Sequence, residues 1–464
     1  MNGRTDNPSR MYRPLAILAL LLLVQSASSQ SRPFQACGDM SYLDELEAVG
    51  ARFYDGGVQK NAMAILKDHG MNMVRLRIWH TPDNGRDGLA ATLQMAKRIK
   101  ALDLGFMLDF HYSDYWADPG KQYKPAAWEN LNFTALRDSV RTYSANVIQA
   151  LVDQGTTPDI VQIGNETTTG MLWDEGHVGG SFDTTSQWGR YTALTKAGIE
   201  GVREAGGNDI QIMIHIDRGG DANGVRWFFD NFTDFNVDFD LIGLSYYPFW
   251  HGDLSDLEAA LDVATTRYDK PVMLSEIAYP WTLQWFDSQN NFVGSADQLI
   301  DGYPATPEGQ RAMMEAIVQR VLDLPDRMGV GVCYWSPELW ALPQYPTAWE
   351  NLALFDNNGD VLPAASALNP FFNVASEAAS PESSPLQMEV YPNPVRQGDP
   401  VRGTSADSGM VRLFDIQGRE VGTTAVPAGR WHLDTVGLTP GVYRVSFRDV
   451  RGKRTTVRMI TILP

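Results

Sequence analysis

Two short stretches carry the residue types that do chemistry. Residues 160–166 read IVQIGNE and residues 274–280 read LSEIAYP, and each is an apolar run that breaks on a carboxylate, Glu166 and Glu276. A carboxylate where a strand leaves a core feels two opposed effects: burial favours its neutral form, and a nearby cation favours its charge. Two such groups facing each other at about 5 to 5.5 Å suit double-displacement cleavage of a glycosidic bond, one as acid/base and the other as nucleophile. Residues 110 positions apart in the chain meet in this way only if the fold brings two strand ends to one rim.

The pattern of the chain supplies such a rim. Apolar runs recur as CGDMS near 37, MNMVRLRIW from 71, GFMLDFHYS from 105, DIVQIGNE from 159, DIQIMIHID from 209, DLIGLSYYP from 240, PVMLSEIAYP from 271 and GVGVCYWSP from 329. Between them lie stretches such as NAMAILKDHG, LAATLQMAKRIKAL and EGQRAMMEAIVQRVLDL, whose apolar residues fall three and four apart, the helical period. Eight strands alternating with helices predict a (β/α)8 TIM barrel, whose active site lies at the carboxyl ends of the strands. An open doubly wound sheet is the alternative, but no glycine-rich phosphate loop follows the first run. Closure makes strands one and eight neighbours and brings Cys37 near Cys333, as a disulfide or as two buried thiols.

Composition bounds the partners. The 464 residues have a formal net charge of −18, and the C-terminal 79 or so residues are basic, so the barrel segment is more acidic still. Such a body repels nucleic acid and polyuronic acids, which leaves a neutral partner. Twelve of the 13 Trp precede residue 375, several of them just after a strand, where indole faces can stack on sugar rings. At the N-terminus Arg10 and Arg13 precede the apolar run Leu15 to Val24 and then QSASSQ, the order of a secretory signal peptide over residues 1–30. The run is too short to span a bilayer. The barrel is assigned to residues 32–374, a Ser- and Pro-rich linker to 375–387, and an all-β sandwich to 388–464, where alternating polar and apolar residues flank turns such as Pro440-Gly441.

The motifs GDMSYLDELEAVG, NMVRLRIWHTP, DFHYSDYWADPGKQYKPAAW, VQIGNETTTGMLW, LIGLSYYPFWHG, LSEIAYPWT and YWSPELW span residues 38 to about 340 in order. Together they resemble glycoside hydrolase family 53, the arabinogalactan endo-β-1,4-galactanases, within the large clan of retaining barrel hydrolases. The resemblance implies internal cleavage of β-1,4-galactan, with Glu166 as acid/base and Glu276 as nucleophile. It implies that Asn165 holds the sugar 2-hydroxyl, that Arg75 and Tyr246 support the charged nucleophile, and that His111, Asp114, Trp116, His215 and Trp335 contact substrate. The chain departs from the family in having Cys37-Gly38-Asp39 on strand one and Ser275 before the nucleophile. Some bacterial members bind calcium after strand seven. Here Asp287, Gln289 and Asn291 keep the alternation of oxygen ligands but not a full acidic set, so no cofactor beyond a structural calcium is expected.

The tail motifs YPNPV and LTPGVYRV are similar to the C-terminal sorting domain of the type IX secretion system, which implies a secretion-machinery partner and an enzyme released or held at the cell surface; a monomer is expected. Trp431 is the only Trp in the tail, which speaks against a carbohydrate-binding module. Other retaining β-glycanases of the clan, such as mannanases and xylanases, share the two glutamates. A non-catalytic glycan-binding barrel is at odds with an intact Glu166, Glu276 and Asn165.

Overall fold

The computed structural model describes residues 33–371 and, towards the C-terminus, residues 388–463 apart from 392, 406–407, 416–419, 427–428 and 450–454. The expected signal peptide and the linker at 375–387 lie outside the described residues.

Each of the eight apolar runs is a strand: β1 (Gln35–Asp39), β2 (Met73–Ile78), β3 (Gly105–Phe110), β4 (Ile160–Ile163), β5 (Gln211–Ile216), β6 (Leu241–Tyr246), β7 (Val272–Ile277) and β8 (Gly329–Trp335). They pair in parallel in chain order, and β8 returns to β1 to close the barrel. The helices α1 (Ala62–Asp68), α2 (Leu89–Ala101), α3 (Phe133–Asp153), α4 (Thr185–Gly206), α5 (Ala222–Thr233), α6 (Leu254–Tyr268) and α7 (Pro307–Leu322) alternate with the strands. Their starts are written locally. Asn132 accepts the Ala135 N–H at the head of α3, and Asp253 with Asp256 forms a capping box on α6. The face of α3 carrying Leu136, Val140, Val147, Ile148 and Leu151 is buried, as its spacing predicts.

The barrel interior is layered by strand alternation. Cys37, Met73, Met107, Ile160, Met213, Leu241, Met273 and Cys333, one from each strand, form an apolar plug separate from the larger core. Two residues further along each strand, the same inward face carries Asp39, Arg75, Asp109, Gln162, His215, Gly243, Ser275 and Trp335. One step of the pleat therefore changes a dry floor into a polar layer. Gly243 has no room for a side chain, since a Cβ there would lie 2.3 Å from Ser275 Oγ and 2.7 Å from Met213 Sδ. Cys37 and Cys333 are direct register partners, and their buried sulfurs lie 2.6 Å apart as free thiols.

The C-terminal residues form the expected sandwich. One sheet has the order β9 (Met388–Tyr391), β11 (Val401–Ser405), β14 (Gly429–Leu433). The other runs β10 (Val395–Arg396), β16 (Thr455–Leu463), β15 (Gly441–Asp449), β12 (Gly409–Asp415), β13 (Glu420–Val426). Val411, Leu413, Val445, Phe447 and Ile460 share its core with Trp431, so that indole is spent on packing rather than on a sugar face.

Candidate active site

The backbone turns sharply where β4 ends. Gly164 has φ +85°, and a Cβ on it would come within 2.4 Å of Thr167. Glu166 itself is left-handed, with φ 44° and ψ 53°. A non-glycine residue in that region costs about 1 to 3 kcal/mol and concentrates at functional sites. The turn directs Glu166 into a cleft of about 490 Å³ bordered by Trp116, Asn165, Asp217, Tyr247, Trp250 and Trp335. Glu276 enters from β7, where the pairing with β6 slips by one residue beside Ser245. Ligand atoms of Glu166, His215 and Glu276 all lie within 4.8 Å of one another.

Arg75 favours the charged form of Glu276, although burial outweighs it and lifts the carboxyl to about 7. The guanidinium is buried and reaches Glu276 Oε1 at 2.9 Å, Asp39 at 2.8 Å and Asp109 at 2.8 Å, and it donates to Asn165 Oδ1 at 2.8 Å. Burial raises the Glu276 pKa, against the pull of Arg75 and of a hydroxyl that donates to Oε2 at 2.7 Å. That hydroxyl belongs to Tyr247, not to Tyr246. The expectation for Tyr246 is corrected by strand alternation: counting from inward Leu241 through Gly243 and Ser245, the next inward position is 247. Tyr246 points to the helical layer and donates to the Gly252 carbonyl at 3.0 Å. A charge-assisted hydrogen bond is worth about 2 kcal/mol, so Tyr247→Phe is expected to lower kcat/KM roughly 30-fold. Tyr246→Phe should cost about 1 kcal/mol of stability and leave turnover alone. Steady-state kinetics on both variants check this, and equal losses would refute the assignment.

Among the described residues, Glu166 forms no salt bridge. The Glu166 N–H donates to His215 Nδ1 at 3.4 Å, which makes Nδ1 an acceptor and places the imidazole proton on Nε2, 2.8 Å from Ser245 Oγ. Ser245 in turn donates to Glu166 Oε1 at 2.7 Å, leaving Oε2 to carry the acid proton. Burial, with Arg75 nearby, holds His215 well below its ordinary pKa and therefore neutral. Both its ring nitrogens are engaged, so the Glu–His–Glu group offers no free imidazole lone pair to a metal. Burial, and then the charge on Glu276, push Glu166 well above the ordinary 4.5. The one proton of the pair therefore sits on Glu166.

A stability effect follows with a definite sign. Above about pH 4.5 the unfolded chain has released the Glu166 proton and the folded chain still holds it, so stability falls as pH rises through the folded pKa. Glu166→Gln keeps the shape without the titration, so its melting temperature above pH 5 should decline less than that of the wild type. Thermal melts across pH 4 to 9 check the difference in slope.

The other expected residues divide into two groups. Asn165, Trp116 and Trp335 border the cleft, with the Trp116 and Trp335 rings 5.8 Å apart. His111 and His215, expected as sugar ligands, are instead buried supports. His111 Nε2 meets Asp109 at 3.0 Å, and its Nδ1 accepts the Ala117 N–H. Asp114 ties two loops together by accepting the Thr81 and Ala126 N–H groups. Of the calcium candidates, Gln289 borders the cleft, while both Asp287 oxygens accept backbone N–H groups, from Gln289 and Thr347. Asn291 Oδ1 and Glu350 Oε2 are buried without a hydrogen-bond partner among the described residues, and Glu350 interacts with both Asp287 and Asn291. Sequence reasoning missed Asp39, Asp109, Ser245, Asp217 and Tyr247. All but Asp217 and Tyr247 lie within a strand, and the even spacing from each strand's inward apolar residue would have found all five.

The geometry agrees with what known proteins show. Residues 36–368 match the model of glycosyl hydrolase family 53, and residues 389–462 match that of a secretion system C-terminal sorting domain. An arabinogalactan endo-β-1,4-galactanase from Cellvibrio japonicus is 32% identical over 380 residues, 78% of this chain and 98% of that protein. An uncharacterised protein from Niallia circulans is 44% identical over 338 residues, 71% of this chain and 92% of the other. The solved family 53 catalytic domain from Ignisphaera aggregans superposes with a TM-score of 0.67 at 32% identity, covering 73% of this chain and 96% of that one. With the paired carboxylates at the mouth of a closed barrel and a family match that runs from β1 past β8, the chain belongs to glycosyl hydrolase family 53 and is a glycoside hydrolase with a C-terminal sorting domain.

Proposed function

We propose that the enzyme cleaves β-1,4-galactan internally, with retention of anomeric configuration. The observation that carries the reading is the closeness of the two carboxyl groups in a cleft built from the strand ends of a family 53 barrel. Carboxyl oxygens within 4.8 Å of each other support the short separation of a retaining pair over the wider one in which an inverting enzyme seats its water. Ionised Glu276 attacks the anomeric carbon while Glu166 Oε2 gives its proton to the departing oxygen, forming a glycosyl ester on Glu276. Glu166, now charged, takes a proton from water, and the resulting hydroxide equivalent cleaves the ester. Ser245 and His215 keep Glu166 aimed through both steps. Asn165 is the amide available to the sugar 2-hydroxyl, and the 32% identity to a galactanase supports galactan as the glycan.

Reducing-end release from linear β-1,4-galactan, with mannan, xylan and polygalacturonate alongside, tests this reading. Short galacto-oligosaccharides whose first-formed anomer is β are expected. Cleavage of another glycan in place of galactan would overturn the substrate, and a first-formed α anomer would overturn the mechanism.

The sorting domain places the protein outside the cell or at its surface. Export by the N-terminal signal peptide and a monomeric mature form complete the proposal, and the monomer is supported by a cleft made from one chain. Light scattering of the mature protein would contradict it by giving twice the chain mass. A structural calcium is proposed at Asp287, Asn291 and Glu350, hard oxygen donors of which two carry unpartnered atoms. Its role there would be to tie the loops after β7 and β8. A melting temperature unmoved by calcium or by chelator would contradict it.

A further inference from the structure

Beyond the cleft, on the side of the acid/base, lies a second hollow of about 560 Å³. A ridge joins the two. Asp217 borders the cleft, Thr168 and Arg218 border the hollow, and Thr168 donates to Asp217 while Arg218 pairs with it at 3.4 Å. The far wall is aromatic. The ring of Phe182 stacks on His177 at 4.0 Å and 15°, and His177 stacks on Trp173 at 4.1 Å and 13°. Trp227, from α5, stands in the same wall with its orientation locked. Its Nε1 donates to Asp183 Oδ2 at 3.0 Å, and the other oxygen of Asp183 takes the Trp188 Nε1 at 2.8 Å. Gly179 lets the backbone lie along the Trp227 ring, since a Cβ there would be 3.2 Å from it. The wall is not closed by polar pairing, because the buried His177 Nδ1 has no hydrogen-bond partner among the described residues.

The chemistry gives this hollow a direction. Glu166 protonates the oxygen of the leaving group, so the sugars that leave lie on the Glu166 side of the cleft and continue over the residues that follow β4 and β5. Those are the residues that build the ridge and the hollow. A fixed indole face with a guanidinium and a carboxylate beside it matches a pyranose, which has one apolar face and a rim of hydroxyls.

We infer that this hollow is a distal subsite for the leaving-group portion of the galactan chain, with Trp227 and Phe182 as its stacking surface and Arg218 as its hydroxyl contact. The inference rests on the proposed galactanase reading and adds the side of the cleft on which chain length is sensed. It makes the enzyme favour attack far from the reducing end, because only there is enough chain present to cross the ridge.

The test compares Trp227→Ala and Ser181→Trp with the wild type on long galactan and on an aryl β-1,4-galactobioside, whose leaving group is too short to pass Asp217. Loss of one stacked ring is expected to lower kcat/KM on galactan by about 10-fold, mostly through KM, and to leave the aryl substrate unchanged. Trp227 also packs on Trp188 and Phe228, so its removal can harm folding. Ser181 is exposed and borders the hollow, so a bulky side chain there fills the space without deleting a core contact. If the wild type cuts galactan and Ser181→Trp has the same kcat/KM on both substrates, the subsite is refuted. If the wild type leaves galactan intact, the substrate reading itself fails, and the subsite with it.

Discussion

Glu276→Gln is expected to lower kcat on galactan by about 10⁴-fold or more, and Glu166→Gln by roughly 10² to 10⁴-fold, with both proteins folded. The two losses are distinguishable because the residues act on different bonds. An amide at 276 is no nucleophile, so no glycosyl ester forms whatever the leaving group. An amide at 166 removes only the proton given to the departing oxygen. An aryl galactoside with an acidic phenol needs little protonation, so Glu166→Gln should still show a rapid burst of phenol followed by slow turnover, while Glu276→Gln shows none. Stopped-flow absorbance on the two variants reads this directly. A burst from Glu276→Gln would exchange the two roles, and near wild-type turnover of galactan by either variant would remove it from the reaction. Circular dichroism melts accompany the kinetics, since Gln is close in shape to Glu and should leave the barrel intact.

Arg75→Met has the second largest expected effect, and it acts on stability and on pH dependence together. Arg75 is the shared cation of Asp39, Asp109 and Glu276, all buried. Burial opposes the charge on Asp109, yet Arg75 and its other partners hold that carboxyl below its usual range. Removing one partner from such a cluster costs about 3 to 5 kcal/mol, because uncompensated charge stays buried. The carboxyls would escape by binding protons, and Glu276 would need a higher pH to ionise. The acid limb of kcat/KM should therefore move upward in Arg75→Met, with residual activity confined to alkaline conditions. Arg75→Lys keeps the charge but cannot span three carboxylates and Asn165 with one ammonium, so an intermediate loss is expected. Urea unfolding and a pH-rate profile together test this, and an acid limb unmoved in Arg75→Met would show that Arg75 does not set the ionisation of Glu276.

What the sequence determined by itself was everything written in local period. Apolar runs alternating with helical stretches specified eight parallel strands and their order, because the strand pattern and the three-to-four spacing are properties of neighbouring residues. Strand ends placed Glu166 and Glu276 on one rim, and the motifs from GDMSYLDELEAVG to YWSPELW carried the family. The alternating tail specified a sandwich, and a lone Trp431 already suggested a core residue. Only the tertiary structure decided which side chains meet across the barrel. The count along β6 already turns Tyr247 inward, but only the assembled barrel shows that its hydroxyl, and not that of Tyr246, reaches the nucleophile. His111 and His215 became supports because the polar layer around Arg75 has more carboxylate and amide groups than free space, and each imidazole is used up by its neighbours. The hollow beyond Asp217 was invisible in the chain, since Phe182 and Trp227 sit 45 positions apart on different loop and helix segments, and only barrel closure puts them on one wall.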